Sequence, residues 1–413
     1  MRKIIYPALI IIVIIAIPFG FGFLVGNSFD VEIEDSEQEE KATLVEKILA
    51  PIIRKETPAQ KPLPNPPKVI NGIYLTAWSA ANSGTISNVI RLAQDSEINA
   101  VIMDIKDFTG VLSYETDIPE LKKYNAQENR IKDVNGVIKK LHDAGIYVIA
   151  RMTVFQDPVL STARPDLAIH DITKISSSTP ISVETLWLDN HDVGWIDPAS
   201  REAWEYTANI AKDAASRGFD EINFDYIRFP SDAGIENTYF FSWDENTRRE
   251  TAIKNFFEYI RQELAGTKIS ADIFGQTTVT YGNDMGIGQV IEDAYEYFDA
   301  VAPMIYPSHY VKSFLGFENS AEHPYEVVHY SMEHAKRRLK AMSTTTQARS
   351  AIRPWLQDFD LEVPYTEEMV RDQIRATKDA MGDDYAGYLL WDPSNTYTWE
   401  ALKNDAPQEE IQN

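Results

Sequence analysis

From Gly72 onward, short runs of β-branched and aromatic residues alternate with longer amphipathic stretches, and eight such runs pass before the pattern ends. Strand-length runs separated by helix-length segments mark βα units, because parallel neighbours must be joined by a crossover, usually a helix. The runs cover 72–79, 100–106, 147–154, 221–228, 268–275, 300–306, 350–357 and 387–391. Turn signals close the stretches between them, as at His142-Asp143-Ala144-Gly145 and Ser216-Arg217-Gly218. Eight units in this order predict an α/β fold, a (β/α)8 TIM barrel. An open doubly wound sheet would carry a Gly-rich phosphate loop after its first strand, and the sequence has none.

The residues before this pattern have a different character. Arg2 and Lys3 precede an uncharged apolar run from Ile4 to Gly26. At about 1.5 Å per residue that run is long enough to cross a bilayer core of ~30 Å. Residues 1–27 are expected to form a transmembrane signal anchor. The run is longer than a usual signal-peptide core, and Asn27-Ser28-Phe29-Asp30 makes a poor cleavage site. Basic residues stay inside, so the chain is expected to be a single-pass protein of the cell membrane with its barrel extracytoplasmic. Secretion after signal cleavage is the alternative. Residues 28–68 form an acidic and Pro-rich linker in which Pro58, Pro62, Pro64, Pro66 and Pro67 make a semi-rigid spacer. The barrel is expected over 69–405, and 406–413 is a C-terminal tail.

Side chains along a strand alternate between faces, so each run divides into a helix-facing and a barrel-facing set. In the fourth run Ile222 and Phe224 form the apolar outer face, which turns Asn223 and Asp225 inward. The same count turns inward Tyr74, Thr76 and Trp78 from the first run, Asp104 and Lys106 from the second, and Arg151 and Thr153 from the third. It adds Ser270, Asp272 and Phe274 from the fifth and Met304 and Tyr306 from the sixth. The last two runs give Arg353, Trp355 and Gln357, then Trp391. An interior built only for stability is filled by branched apolar residues. So many charges there predict a pocket instead of a packed plug, at the strand C-termini where barrel enzymes keep their chemistry.

Glycosidic bonds are commonly cleaved by two carboxyl groups, one donating a proton and one acting as nucleophile or as base for water. Asp225 and Asp272 are each the fifth residue of their run, at equal depth on strands ~4.8 Å apart. Asp225 is expected to be the nucleophile or base and Asp272 its partner. Arg228 would steady the ionised Asp225, while an apolar setting keeps the partner protonated. Asp392, Asp358 and Asp107 compete for the acid role. Asp104 with Arg151 or Lys106 also reads as a buried pair that sets register. Pyranose rings lay their C–H faces on aromatic rings, so Trp78, Tyr306, Trp355 and Trp391 are expected to bind substrate, with Tyr310 close by. Asp104, Lys106, Arg151, Asn223, Arg228, His309, Gln357 and Asp392 are the polar candidates for the same task. Trp187 and Trp195 lie in the long segment 156–200, expected to be a lid or substrate-binding insertion.

Other chemistries find less support. The chain has no cysteine, which removes disulfides, thiolate nucleophiles and Cys-ligated zinc. Its seven histidines show no paired metal-ligand spacing, so no metal and no cofactor are expected. A formal net charge of −24 leaves no basic stripe for phosphates, and nucleic acid is not an expected partner. The expected partners are an oligosaccharide or polysaccharide and, through the N-terminal helix, the membrane.

Several motifs carry a resemblance: Gly72-Ile73-Tyr74-Leu75-Thr76, Met103-Asp104-Ile105-Lys106-Asp107 and Trp195-Ile196-Asp197-Pro198. To these are added Gly218 to Pro230 with Asn223-Phe224-Asp225-Tyr226 at its centre, Ala302 to Tyr310, and Leu390-Trp391-Asp392-Pro393. Together they resemble the bacterial "putative glycosyl hydrolase" barrel family, long a domain of unknown function, and are similar at greater distance to the alpha-amylase-like glycosidases. The resemblance runs from about Val69 to Lys403. It implies a glycosidase-type barrel with the nucleophile at the end of strand four, here Asp225, and the acid on strand five, here Asp272. Amylase-like enzymes usually place a glutamate on strand five, and the shorter aspartate is a departure. An anchored glycoside hydrolase acting on a cell-envelope or extracellular polysaccharide is thus expected. The alternative is a non-catalytic carbohydrate-binding barrel linking the membrane to wall glycans.

Overall fold

The computed structural model describes residues 57–231, 234–342 and 350–403. The expected membrane anchor and most of the linker lie outside the described residues, as does the C-terminal tail. Among the described residues no helix is long and apolar enough to cross a membrane.

Eight parallel strands close on themselves. They are Ile70–Leu75, Ala100–Lys106, Tyr147–Thr153, Glu221–Asp225, Ile269–Phe274, Ala300–Ile305, a seventh in two pieces, Ala351–Ile352 and Trp355–Gln357, and Gly387–Trp391. Each pairs with the next, and the eighth pairs with the first through Ile70↔Gly387 to Ile73↔Leu390. The fold is the expected (β/α)8 barrel. The seventh strand breaks at Arg353-Pro354 because proline has no N–H for the ladder. Its upper piece then pairs on both sides, Trp355 with Met304 and with Leu389.

Helices begin where small polar residues offer an oxygen to the unpaired N–H groups of the first turn. Asn82 accepts from Gly84 and Thr85, Asp133 from Gly136, Ser200 from Ala203 and Thr366 from Met369. The helix Arg201–Arg217 stops at Gly218, whose φ of 102° suits glycine. A side chain there would also strike Gln60, since an added Cβ falls 2.5 Å from its carbonyl carbon.

Gln60 belongs to the stretch expected to be the end of the spacer. That boundary is corrected: the chain is docked on the floor of the barrel from Thr57 onward. Thr57 bonds Asp133, the Gln60 N–H donates to Arg217 O, and the Leu63 N–H donates to Asp220. Leu63 packs against the apolar residues that fill the barrel's lower interior.

The apolar residues form two bodies, divided by the pleat. One lies between strands and helices and holds Val101, Met103, Ile105, Ile222, Phe224, Ile269, Ala271 and Ile273. The other lies inside the barrel and holds Ile70, Ala100, Ile102, Tyr147, Ile149, Ala302 and Leu389. The expected alternation is therefore present in every one of these strands. The interior is nevertheless half plug: its lower part is packed, and only its upper part is the expected pocket. Glu221 starts the fourth strand in that lower layer, where its carboxylate accepts from Arg353 at 2.5 Å and from the Tyr147 hydroxyl at 3.1 Å.

Candidate active site

The strand C-termini enclose a cavity of about 360 Å³ whose wall carries four ionisable side chains of acids and arginines, Arg151, Asp225, Arg228 and Asp272. Asp225 ends the fourth strand. The register pairs Asn223 with Ser270 and Phe224 with Ala271, which brings Asp225 level with Asp272 on the fifth strand. Arg151, paired with Asn223 from the third strand, reaches across both. One guanidinium nitrogen donates to Asp225 Oδ2 at 2.5 Å and another to Asp104 Oδ1 at 2.5 Å. Its Nε lies 3.7 Å from Asp272 Oδ2. A single planar guanidinium spanning both carboxyls holds them closer than ~9.5 Å, the outer limit for a pair flanking one glycosidic bond.

The two carboxyls differ in setting. Asp225 Oδ1 accepts from the Tyr226 N–H at 2.6 Å, so both of its oxygens are engaged. Tyr226 has a φ of 54°, a left-handed conformation rare for a residue with a side chain. Such strain persists only where its surroundings impose it, and here it turns the N–H back onto the preceding carboxylate. Asp272 is 1% exposed, and its Oδ1 accepts from Asn223 Nδ2 at 2.8 Å and Trp355 Nε1 at 2.8 Å. Its Oδ2 has no hydrogen-bond partner among the described residues. Burial, then the charge of Asp225, push the Asp272 carboxyl up to about 8 against the opposing pull of Arg151. Burial and the neighbouring negative charge thus favour the protonated form of Asp272.

Asp104 steadies the arginine. Its Oδ2 accepts from the Tyr74 hydroxyl at 2.5 Å, and burial raises that hydroxyl above its ordinary range, so it stays a donor. Tyr74 stacks on Trp391 with centroids 4.0 Å apart, and the Arg151 guanidinium sits 5.0 Å from the Trp391 ring. Trp391, Trp355, Tyr306 and His309 all line the cavity. Burial lowers His309 below the usual histidine range, which leaves it neutral at pH 7.

Other expected residues serve elsewhere. Arg228 lines the cavity, but the ion pair expected between it and Asp225 is made by Arg151; Arg228 donates to Phe229 O and lies over the Phe274 ring. Lys106 is buried in a pair with Asp157 at 2.9 Å. Asn223 stands behind Asp272, and Gln357 receives the Ser308 hydroxyl in the loop that carries His309. Asp392 caps its own turn, accepting from the Ser394 and Thr396 N–H groups, while Asp358 accepts from Thr398 and Asp107 pairs with Arg130. These three competitors for the acid role are absent from the cavity wall. Trp78 lies on the helix Ala77–Ala81, not on a strand, and is 60% exposed. Trp187 and Trp195 are buried, and the segment around them is knitted into the structure by bridges such as Gln156↔Trp195 and Ala168↔Ile196. They do not face the cavity, which corrects their reading as part of a substrate-binding lid.

Tyr226 and Gln276 line the cavity and were not indicated by strand alternation, which stops counting where a strand ends. Gly275 was the available signal. An added Cβ would fall 2.3 Å from Met304 O, so only glycine lets the chain leave the fifth strand flat against the sixth.

Comparison with known proteins places this geometry in context. A family model described as "putative glycosyl hydrolase domain" matches residues 72–397. A hypothetical protein from Ruminiclostridium thermocellum is 37% identical over 48% of this chain and 96% of its own, with a TM-score of 0.43. The PgaB (BpsB) glycoside hydrolase domain from Bordetella bronchiseptica is 14% identical with a TM-score of 0.56, over 82% of this chain and all of its own (100%). It shares the fold. No curated protein matches.

Proposed function

This chain belongs to the "putative glycosyl hydrolase domain" family, and we propose that its barrel hydrolyses glycosidic bonds of an oligosaccharide or polysaccharide through Asp225 and Asp272. Two carboxyls at one cavity wall carry the proposal, one ion-paired to Arg151 and the other held protonated by burial. Environments that set two acids apart are how one site supplies a proton donor and an anionic partner at the same pH. Asp272 donates its proton to the departing glycosidic oxygen as the bond from that oxygen to the anomeric carbon breaks. Asp225 meets the developing positive charge at that carbon, as nucleophile or as base for water. Arg151, fixed by Asp104, holds Asp225 in place. Trp391, Trp355 and Tyr306 line the cavity that receives the sugar, with His309 as a neutral hydrogen-bonding partner.

Replacing Asp225 by Asn tests the assignment. Glycan cleavage is expected to vanish while retardation in polysaccharide-containing gels persists; undiminished turnover would remove Asp225 from the chemistry. A non-catalytic carbohydrate-binding barrel is the second reading. It is favoured by the engagement of both Asp225 oxygens and by the 1% exposure of Asp272. Binding without product across a broad glycan panel would select it.

We also propose that residues 1–27 anchor the protein in the cell membrane, with the residues from 28 up to the docked Thr57 as spacer and the barrel outside acting on envelope or extracellular glycan. The basic pair Arg2-Lys3 before the apolar run supports this orientation. Protease added to intact cells should release the barrel, and carbonate washing should leave the uncut protein in the membrane.

A further inference from the structure

Trp78 and Phe108 are large aromatic side chains left 60% and 58% exposed. Both follow the C-terminal end of a strand, Trp78 after the first and Phe108 after the second, so both stand on the face that holds the cavity. Single exposed aromatics are ordinary on a protein surface. These two are joined by an arginine held on several sides. Arg130 donates to Asp107 at 2.7 Å, to Thr109 at 3.1 Å and to Glu128 at 2.7 Å, and its side chain is only 7% exposed. Its guanidinium lies 5.3 Å from the Trp78 ring. The same cation thus supports one face of the indole and fixes the turn on which Phe108 sits between Asp107 and Thr109. A rigid aromatic with a supported face loses little side-chain freedom when a ligand covers its other face.

Neither ring lines the cavity itself; both follow strands that neighbour its wall. Trp355 and Trp391 lie edge to face across the seventh and eighth strands, and Trp391 stacks on Tyr74 of the first strand. Trp78 and Phe108 follow the ends of the first and second strands, next in strand order to that aromatic group.

We propose that Trp78 and Phe108 form a rim subsite for a sugar ring remote from the scissile bond, so that the preferred substrate is a polymer lying from the cavity across the first and second strands. The proposal rests on the hydrolase reading for its cavity end, and on the exposed rings and their arginine support for its rim end. The occupant is the continuing part of one glycan chain, since C–H faces of successive pyranoses repeat along a polymer and suit isolated flat rings more than a continuous apolar groove.

The full chain and its Trp78→Ala, Phe108→Ala and Trp78→Phe variants are compared in two measurements. One is electrophoretic retardation in gels containing soluble starch, xylan, galactomannan or glycol chitin. The other is turnover of whichever of these is cleaved, against the corresponding short aryl glycoside. Trp78→Ala should weaken retardation and raise KM on the polymer about tenfold, the scale of losing one anchoring aromatic, with Phe108→Ala smaller and Trp78→Phe close to the parent. Turnover of the short glycoside should stay within twofold. Equal losses on short and long substrates, no loss on either, or no retardation of the parent by any of the four polymers would overturn the rim subsite. Retardation that depends on Trp78 without turnover of any polymer would uphold it while removing the hydrolase reading.

Discussion

The barrel buries two arginines against carboxylates, one at each end, and they are built to different ratios. At the floor Arg353 meets one carboxylate, Glu221, with the Tyr147 hydroxyl beside it and an apolar plug around them. At the mouth Arg151 meets three aspartates, Asp104, Asp225 and Asp272, and opens onto a cavity. A one-to-one pair is balanced in charge, although Arg353 Nε and Nη1 have no hydrogen-bond partner among the described residues. One cation among three acids cannot leave all of them both charged and satisfied, so one must hold its proton or find a partner from outside. Burial raises both Asp104 and Asp272, and of the two Asp272 is the one with an unpartnered oxygen. Burial of charge therefore does not itself distinguish a structural cluster from a chemical one; the imbalance does.

The comparison breaks most sharply on Asp225. Asp225→Asn should lower glycan turnover by on the order of 10⁴-fold, the scale of losing one essential member of a catalytic pair, with the circular dichroism of the folded protein retained. Turnover within tenfold of the parent would make the mouth as structural as the floor.

Asp272→Asn comes next, with about a 10²–10³-fold loss on natural glycans, as for removing a general acid. Aryl glycosides with good leaving groups need little protonation and should lose much less. In the parent, activity should fall as pH rises through about 8, where Asp272 gives up its proton. The stability linkage has the same direction. The folded pKa lies above the unfolded one, so the contribution is full below the unfolded value near 4 and is lost as pH rises through about 8. Urea titrations should show the parent losing stability relative to Asp272→Asn across that window, by at most ~1.4 kcal/mol per pH unit for one proton. A parent that gains stability relative to Asp272→Asn as pH rises would reverse the assignment of donor.

At the floor, Glu221→Gln leaves Arg353 charged and uncompensated, which should cost about 3–5 kcal/mol of stability. Turnover measured well below the melting transition should change less than twofold, and Glu221→Leu with Arg353→Met together should recover most of the lost stability. A large kcat effect with an unchanged melting temperature would give the floor pair a chemical role. The smallest effect expected is at Asp392, where Asp392→Ala removes acceptors for the Ser394 and Thr396 N–H groups. About 1 kcal/mol should be lost, as for a helix or turn cap, with kcat retained.

The strand interiors were legible in the sequence because a period of two leaves no choice of face once one residue is assigned. Asp104, Arg151, Asn223, Asp225 and Asp272 all follow from that count. It lost its hold at strand ends. Thr76 caps a helix by accepting from Ser79, so Trp78 swings out to solvent instead of continuing inward. Tyr226 reverses through its positive φ, and its approach to Asp225 depends on a backbone turn, not on a pattern of residue types. Lys106 shows another limit. Its strand slips register between Asp104 and Lys106, and the amine finds Asp157 from the loop after the third strand. Partner choice across strands is a matter of distance, which explains why Arg228 looked suitable for Asp225 in sequence although Arg151 reaches it. The packed lower plug was hidden for a related reason: alternation gives the face of a residue but not how many inward layers a barrel must fill before it opens.

The segment after the eighth strand sews the seam of the barrel. Asn395 accepts from the Thr76 N–H and donates to Tyr74 O, and the Tyr397 hydroxyl donates to the same carbonyl. Tyr74 is also the residue whose hydroxyl binds Asp104, and through it the Arg151 cluster. A chain emerging during synthesis therefore carries all three aspartates long before it can organise them. The clasp that fixes their frame is among the last described residues to be made, so a truncated product lacking it would keep the acids and lose the mouth that arranges them.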